Sequence, residues 1–183
     1  MERIKLVDFL KIPKEKLTSK VICFPTDTVY GVGALFNDKV AIDKIYEMKN
    51  RSRTKPLANL CSGVNQITEL GILIPEKARE LIRKYWPGAL TIIFKHGEEK
   101  ISFRMPDSDV ALQILDKLGI MTTTSVNESG EKELNNYDEI NAKFGNYIDY
   151  FIAEEVELSK VPSTVIDVSE NEIKVLREGA IKL

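Results

Sequence analysis

Lys49-Asn50-Arg51-Ser52-Arg53-Thr54-Lys55 packs four cations and no carboxylate into seven residues. Such side chains can grip a polyphosphate: a guanidinium offers a planar fork to two oxygens, an ammonium a compact point charge. Taken alone, the run equally suits a solvated surface turn, and cations at the end of a helix suit its dipole whatever they bind. Pro56-Leu57 follows and would hold the loop against a sheet edge. Ser125-Val126-Asn127 is a second candidate, because on an extended backbone both polar side chains share one side and could grip one ligand. An ordinary polar strand end has the same pattern. Arg104 and Arg177 are forks for a carboxylate or a phosphate, or else partners in surface ion pairs. The hydroxyls of Thr26 and Ser163 could meet a ligand or simply close their own turns.

Several chemistries are disfavoured. No Gly-x-x-x-x-Gly-Lys-[Ser/Thr] occurs, and Gly31-Val32-Gly33 has Phe36 where a dinucleotide fingerprint needs its third glycine. His96, the single histidine, reads as part of a polar surface loop, which leaves no His-based triad or His-rich metal site. Cys23 and Cys61 are too far apart for a CxxC pair and too few for zinc, and read as buried reduced thiols.

The net charge of −2 conceals an asymmetry: residues 1–60 carry 12 Lys or Arg against 7 Asp or Glu, and residues 61–183 carry 14 against 21. Acidic stretches at Glu128–Glu139 and Glu154–Glu157 argue against a surface coated uniformly by nucleic acid and favour a small anionic ligand. With 183 residues, 43% of them hydrophobic, the chain can bury one substantial core, and a single domain over residues 1–183 is expected. The longest apolar runs fall well short of the roughly 18 residues of a membrane span. Charged residues interrupt the amino terminus, so no secretory segment is expected and the cytoplasm is the expected compartment.

Short β-branched runs alternate with helical patterns, as in one mixed α and β domain. Strands are expected at 20–24, 28–35, 90–94, 120–124, 148–153, 164–168 and 173–177. A helix capped by Asn37 or Asp38 turns Ala41, Ile42, Ile45, Tyr46 and Met48 to one face and delivers Lys49. Pro75 fits the first turn of another, with Ala78, Leu81, Ile82 and Tyr85 inward and Trp86-Pro87-Gly88 as its stop. A third, capped by Asp107 or Ser108, carries Ala111, Ile114, Leu115 and Leu118 and closes at Gly119. Asn136 and Glu139 have capping-box spacing before a short helix reaching Phe144.

Pro25-Thr26-Asp27-Thr28-Val29-Tyr30-Gly31, the cationic loop with Pro56-Leu57, Trp86-Pro87-Gly88-Ala89-Leu90-Thr91, Ser125-Val126-Asn127, Ser163-Thr164-Val165 and Arg177-Glu178-Gly179-Ala180-Ile181 occur in one order along the chain. Together they resemble the threonylcarbamoyl-AMP synthase family, the YrdC-type domain, over nearly the whole length. The resemblance implies a YrdC/RibB-like α+β fold: three layers, a twisted mixed sheet with flanking helices, and a large open cavity. It implies formation of threonylcarbamoyl-AMP and pyrophosphate from L-threonine, bicarbonate or CO2, and ATP, toward N6-threonylcarbamoyladenosine in tRNA. Lys49 and Arg51 would contact the reacting phosphates, with Arg53, Asn127, Asn135 and Arg177 also on the nucleotide. Thr26, Arg104, Ser125 and Ser163 would hold threonine. Mg²⁺ would be held mainly by ATP phosphates, with no protein metal site. The chain looks like the short form without the carboxyl-terminal extension, which works with separate tRNA threonylcarbamoyl-transferase proteins.

The sequence departs from the family pattern at Asp27, where Glu is usual, at Ser52, where Pro is usual, and at Lys160-Val161-Pro162 before Ser163. Two alternatives stay open at this point: a double-stranded-RNA or tRNA-binding module, and a YrdC-like paralogue with an altered substrate.

Overall fold

Ile22, Cys23 and Phe24 are all buried, so the strand that carries them needs apolar cover on both faces. The computed structural model describes residues 1–170 and 172–183 and shows how that cover is built. In chain order the elements are β1 (Glu2–Ile4), α1 (Leu6–Phe9), β2 (Ile22–Pro25), β3 (Tyr30–Leu35), α2 (Lys39–Met48), β4 (Ala58–Leu60), α3 (Val64–Glu69) and α4 (Glu76–Tyr85). There follow β5 (Leu90–His96), β6 (Glu99–Arg104), α5 (Asp109–Leu118), β7 (Met121–Ser125), α6 (Tyr137–Phe144), β8 (Tyr150–Ile152), β9 (Thr164–Asp167) and β10 (Lys174–Arg177). The strands form one mixed sheet in the order β1-β8-β2-β3-β7-β4-β6-β5-β9-β10. Pairing is parallel for β1/β8, β2/β8, β4/β6 and β5/β9. It is antiparallel for the remaining neighbours.

Alternation along β2 sends its side chains to two cores. Ile22 and Phe24 pack with Phe9 of α1 and with Ala111, Ile114, Leu115 and Leu118 of α5. Cys23 packs on the opposite face with Ala41, Ile45 and Met48 of α2 and with Ile140 and Phe144 of α6. Each such fully buried Leu or Ile contributes about 1.5–3 kcal/mol of transfer free energy. In the other half of the sheet, Leu90, Ile92 and Phe94 of β5 pack with Ile67 of α3 and with Ala78 and Ile82 of α4. Thr91 and Ile93, the alternate residues, line an open cavity instead. The three-layer α+β expectation holds, and the cavity is a sheet face left without helical cover.

The caps resolve the sequence alternatives. Asp38 rather than Asn37 accepts from the Ala41 amide at 3.2 Å, and Ser108 rather than Asp107 from Ala111 at 3.3 Å. Asn136 accepts from Glu139 at 2.9 Å, but Glu139 returns no bond among the described residues, so only half of the capping box forms. Pro75 sits at the N-cap, one residue before α4 begins. His96 is not a loop residue: it ends β5 and pairs with Glu99 across a tight hairpin.

Candidate functional site

The uncovered sheet face closes into a cavity of about 540 Å³ whose lining runs from Thr26 to Arg177. Lys49, Arg51, Arg104 and Arg177 bring positive charge to it, and Glu131 and Glu133 bring negative charge.

Lys49 caps the carboxyl end of α2, and its side chain is buried. Its ammonium donates to Ser125 O at 2.7 Å and to both Asn127 O and Asn127 Oδ1 at 2.8 Å. Ser125 Oγ donates to the same Asn127 Oδ1 at 2.7 Å, and Asn127 Nδ2 donates to Glu131 O at 2.7 Å. The backbone closes the unit, Ser129 N donating to Lys49 O at 2.8 Å. The two motifs 76 residues apart are thus one hydrogen-bonded body. Ser125 and Asn127 do act together, but not by strand alternation, since β7 ends at Ser125 and the amide follows in the turn. Burial, and next the charge of Arg51, pushes the Lys49 pKa down to about 8, with Glu133 opposing. Its three acceptors also favour the charged form, because a neutral amine has only two protons to offer.

Arg104 ends β6 and is buried. Its Nε donates to Gly88 O at 2.9 Å, one terminal nitrogen to Thr28 Oγ1 at 2.9 Å, and the other to Asp27 Oδ1 at 2.5 Å. Burial pushes its pKa down from the ordinary arginine value, and the Asp27 carboxylate pushes it back. The Trp86-Pro87-Gly88 corner, a helix stop by sequence, therefore also positions a cavity arginine. Trp86 Nε1 donates to Leu90 O at 2.6 Å, and Gly88 N to Met105 O at 2.8 Å, pinning that corner to β5 and the end of β6. Thr26 lines the cavity, and its hydroxyl closes its own turn on Val29 O at 2.7 Å.

Arg177 turns its guanidinium onto Ser163, donating to the carbonyl at 2.8 and 3.0 Å and to Oγ at 3.1 Å. Ser163 Oγ also meets Thr91 Oγ1 at 2.8 Å. What holds these strands so close is Gly179: a Cβ there would lie 2.3 Å from Pro162 O and 2.5 Å from Ser163 C.

Two candidates lie elsewhere. Arg53 is exposed, pairs with Asp43 and stacks over Tyr46 outside the cavity lining, because α2 offers it a nearer anion than the cavity does. Asn135 is also absent from the lining: its Oδ1 accepts from Tyr30 N at 3.0 Å and its Nδ2 donates to Glu133 O at 3.3 Å. Arg51 does line the cavity, held by bonds to Lys55 O at 2.9 Å and Pro56 O at 3.0 Å.

Comparison with known proteins places this architecture. The Sua5/YciO/YrdC family model, described as "Telomere recombination", matches residues 17–179. The chain belongs to this family. A "Putative threonylcarbamoyl-AMP synthase" of Methanocaldococcus jannaschii is 34% identical over 191 residues, covering 100% of this chain and 89% of the relative. Another so named, from Mycobacterium leprae, is 30% identical, covering 90% of this chain and 79% of the relative. The crystal structure of Pyrococcus abyssi Sua5 complexed with L-threonine superimposes with a TM-score of 0.86 at 30% identity over 97% of this chain. This chain spans 56% of that Sua5 chain, so it corresponds to part of the longer protein.

Sequence reading gave no role to Thr28, Thr91 or Glu133, which all line the cavity, nor to Asp27 and Gly88, which hold Arg104. Asp27 stands inside the Pro25–Gly31 motif, but nothing local to it points to Arg104. The other contacts depend on strand order, which no local pattern carries.

Proposed function

We propose that this chain is an L-threonylcarbamoyladenylate synthase, joining L-threonine, bicarbonate or CO2, and ATP into threonylcarbamoyl-AMP with release of pyrophosphate. The observation that carries it is one open cavity holding both a fixed, buried guanidinium and a separate set of phosphate-grade cations. Similarity to the named synthases and to a Sua5 that holds L-threonine supports the same reading.

The threonine amine captures CO2 as a carbamate, and a carbamate oxygen attacks the α-phosphorus of ATP as pyrophosphate departs. No protein nucleophile is required; the tasks are orientation and charge stabilisation. Arg104 presents its fork to the amino-acid carboxylate, with Thr26, Ser125 and Ser163 alongside. Arg51 takes phosphate oxygens, Lys49, whose three protons go to Ser125 and Asn127, adds its positive charge beside them, and Asn127 and Arg177 take the rest of the nucleotide. Among the described residues no group of three or more His, Cys, Asp or Glu could hold a metal alone. A divalent cation therefore fits only when shared with the phosphates. When bound, Mg²⁺ neutralises charge developing on the departing pyrophosphate. Separate transferase proteins would carry the product to tRNA. Among the described residues no helix is long and apolar enough to cross a membrane.

The test is pyrophosphate release from ATP and bicarbonate, with and without threonine. Stimulation by L-threonine, lost in Lys49→Ala, is expected. Release indifferent to threonine would overturn the reading in favour of another amine substrate, and tight, steeply salt-dependent RNA binding without ATP binding would overturn it in favour of an RNA module.

A further inference from the structure

The cavity holds a carboxylate that no part of the reaction above has used. Asp27 is tied to Arg104 at 2.5 Å, and Glu131 to Lys143 at 2.5 Å. Glu133 is half-buried and lines the cavity, and among the described residues its carboxylate has no ion pair and accepts no hydrogen bond. Its backbone is nonetheless fixed. Leu134 N donates to Val126 O at 2.8 Å, and the Asn135 side chain bridges Glu133 O to Tyr30 N on β3. The charge of Glu133 reaches both Lys49 and Arg177, on different walls. Lys49 is depressed by burial and Arg51, and Arg177 by burial and Arg104, and Glu133 opposes both shifts.

A fixed carboxylate among phosphate-binding cations works against a bare triphosphate, since like charges are brought together where water is partly excluded. It becomes favourable only if a cation lies between carboxylate and phosphate. A hard divalent ion that takes oxygen ligands from one carboxylate and from substrate phosphates suits that place. We propose that Glu133 ligates the divalent cation carried in with ATP, directly or through water, and so makes the cavity select metal-bound over metal-free nucleotide. Asn135 is then a positioning residue, acting through the Glu133 backbone rather than on the nucleotide. The inference rests on the synthase reading, because the ligand must carry phosphates.

Calorimetric titration of the whole chain with ATP, once with excess Mg²⁺ and once with EDTA, tests it. Wild-type protein is expected to prefer Mg·ATP. Glu133→Gln should lose about tenfold in Mg·ATP affinity while metal-free ATP binds as well or better. Asn135→Ala should narrow the same ratio less, and the paramagnetic spectrum of Mn·ATP should change between wild-type protein and Glu133→Gln. Unchanged melting temperature in Glu133→Gln separates this from unfolding. An equal ratio of the two affinities in wild type and Glu133→Gln overturns the inference. So does a variant whose only change is the pH profile of threonine-stimulated turnover, which would assign Glu133 to the amine. If the wild type turns over threonine while the ratio stays unmoved, the synthase reading stands and only this inference falls. If it binds neither form of ATP, the synthase reading itself fails.

Discussion

The Arg104 corner and the 51–55 loop both present guanidinium groups, yet they are built in opposite ways. Arg104 is buried, and its three anchors, Gly88 O on one side and the neighbouring Asp27 and Thr28 on the other, come from two distant parts of the chain. Arg51 is held by carbonyls only four and five residues away, and Arg53 faces solvent with Asp43. A buried charge must be held rigidly or it destabilises the fold, whereas an exposed loop can rearrange around its ligand at little cost. On the proposed reading, the corner would suit a small, fixed carboxylate, and the loop would be free to follow a larger, flexible triphosphate.

The largest break in that contrast is Arg104→Ala. It strands Asp27 and empties the corner, so unfolding should become easier by about 3–5 kcal/mol, read by denaturant titration. Arg104→Lys should keep more of the stability and still lose threonine stimulation, because an ammonium cannot reproduce the fork. An Arg104→Ala protein as stable as the wild type would show that the corner is not preformed.

Lys49 stands between the two regions, and its titration sharpens the comparison. A lysine depressed to about 8 from 10.5 loses its proton in the folded state first. Between those values the unfolded chain binds more protons, so the contribution of this group to stability rises with pH across that window. Nucleotide affinity should move the other way, falling as pH rises through about 8, and Lys49→Arg should flatten that fall. Calorimetry and thermal melts on one pH series read both trends.

The smallest effects belong to the loop. Arg51→Ala should weaken ATP binding by about tenfold with an unchanged melting temperature, as for a surface cation that only meets phosphate. Arg53→Ala should leave both the melting temperature and the ATP affinity unmoved. A loss of ATP affinity in Arg53→Ala matching that of Arg51→Ala would mean the loop reorganises around nucleotide far more than its free geometry suggests.

Local chemistry was legible in the sequence where its causes are local. Asp38 and Ser108 were among the named caps, and Ala111, Ile114, Leu115 and Leu118 follow the helical period into the core. The residues that bring charge into the cavity were also on view, because a dense cationic run and isolated arginines stand out by composition. Partnership was not legible. Arg104 meets Asp27 across 77 residues, and Lys49 meets Asn127 across 78, through pairings set by the position of β7 between β3 and β4. Arg53 and Asn135 show the converse: a polar side chain of suitable type is held outside the cavity lining by a nearer neighbour, here Asp43 and the Tyr30 amide.

Gly179 presses against Pro162 and Ser163, and Arg177 closes over Ser163 from the same segment. The wall that carries Ser163 is therefore set by a segment remote in sequence from Lys49 and Arg104, and one added methyl at residue 179 would part Arg177 from Ser163 while leaving both of those side chains where they are.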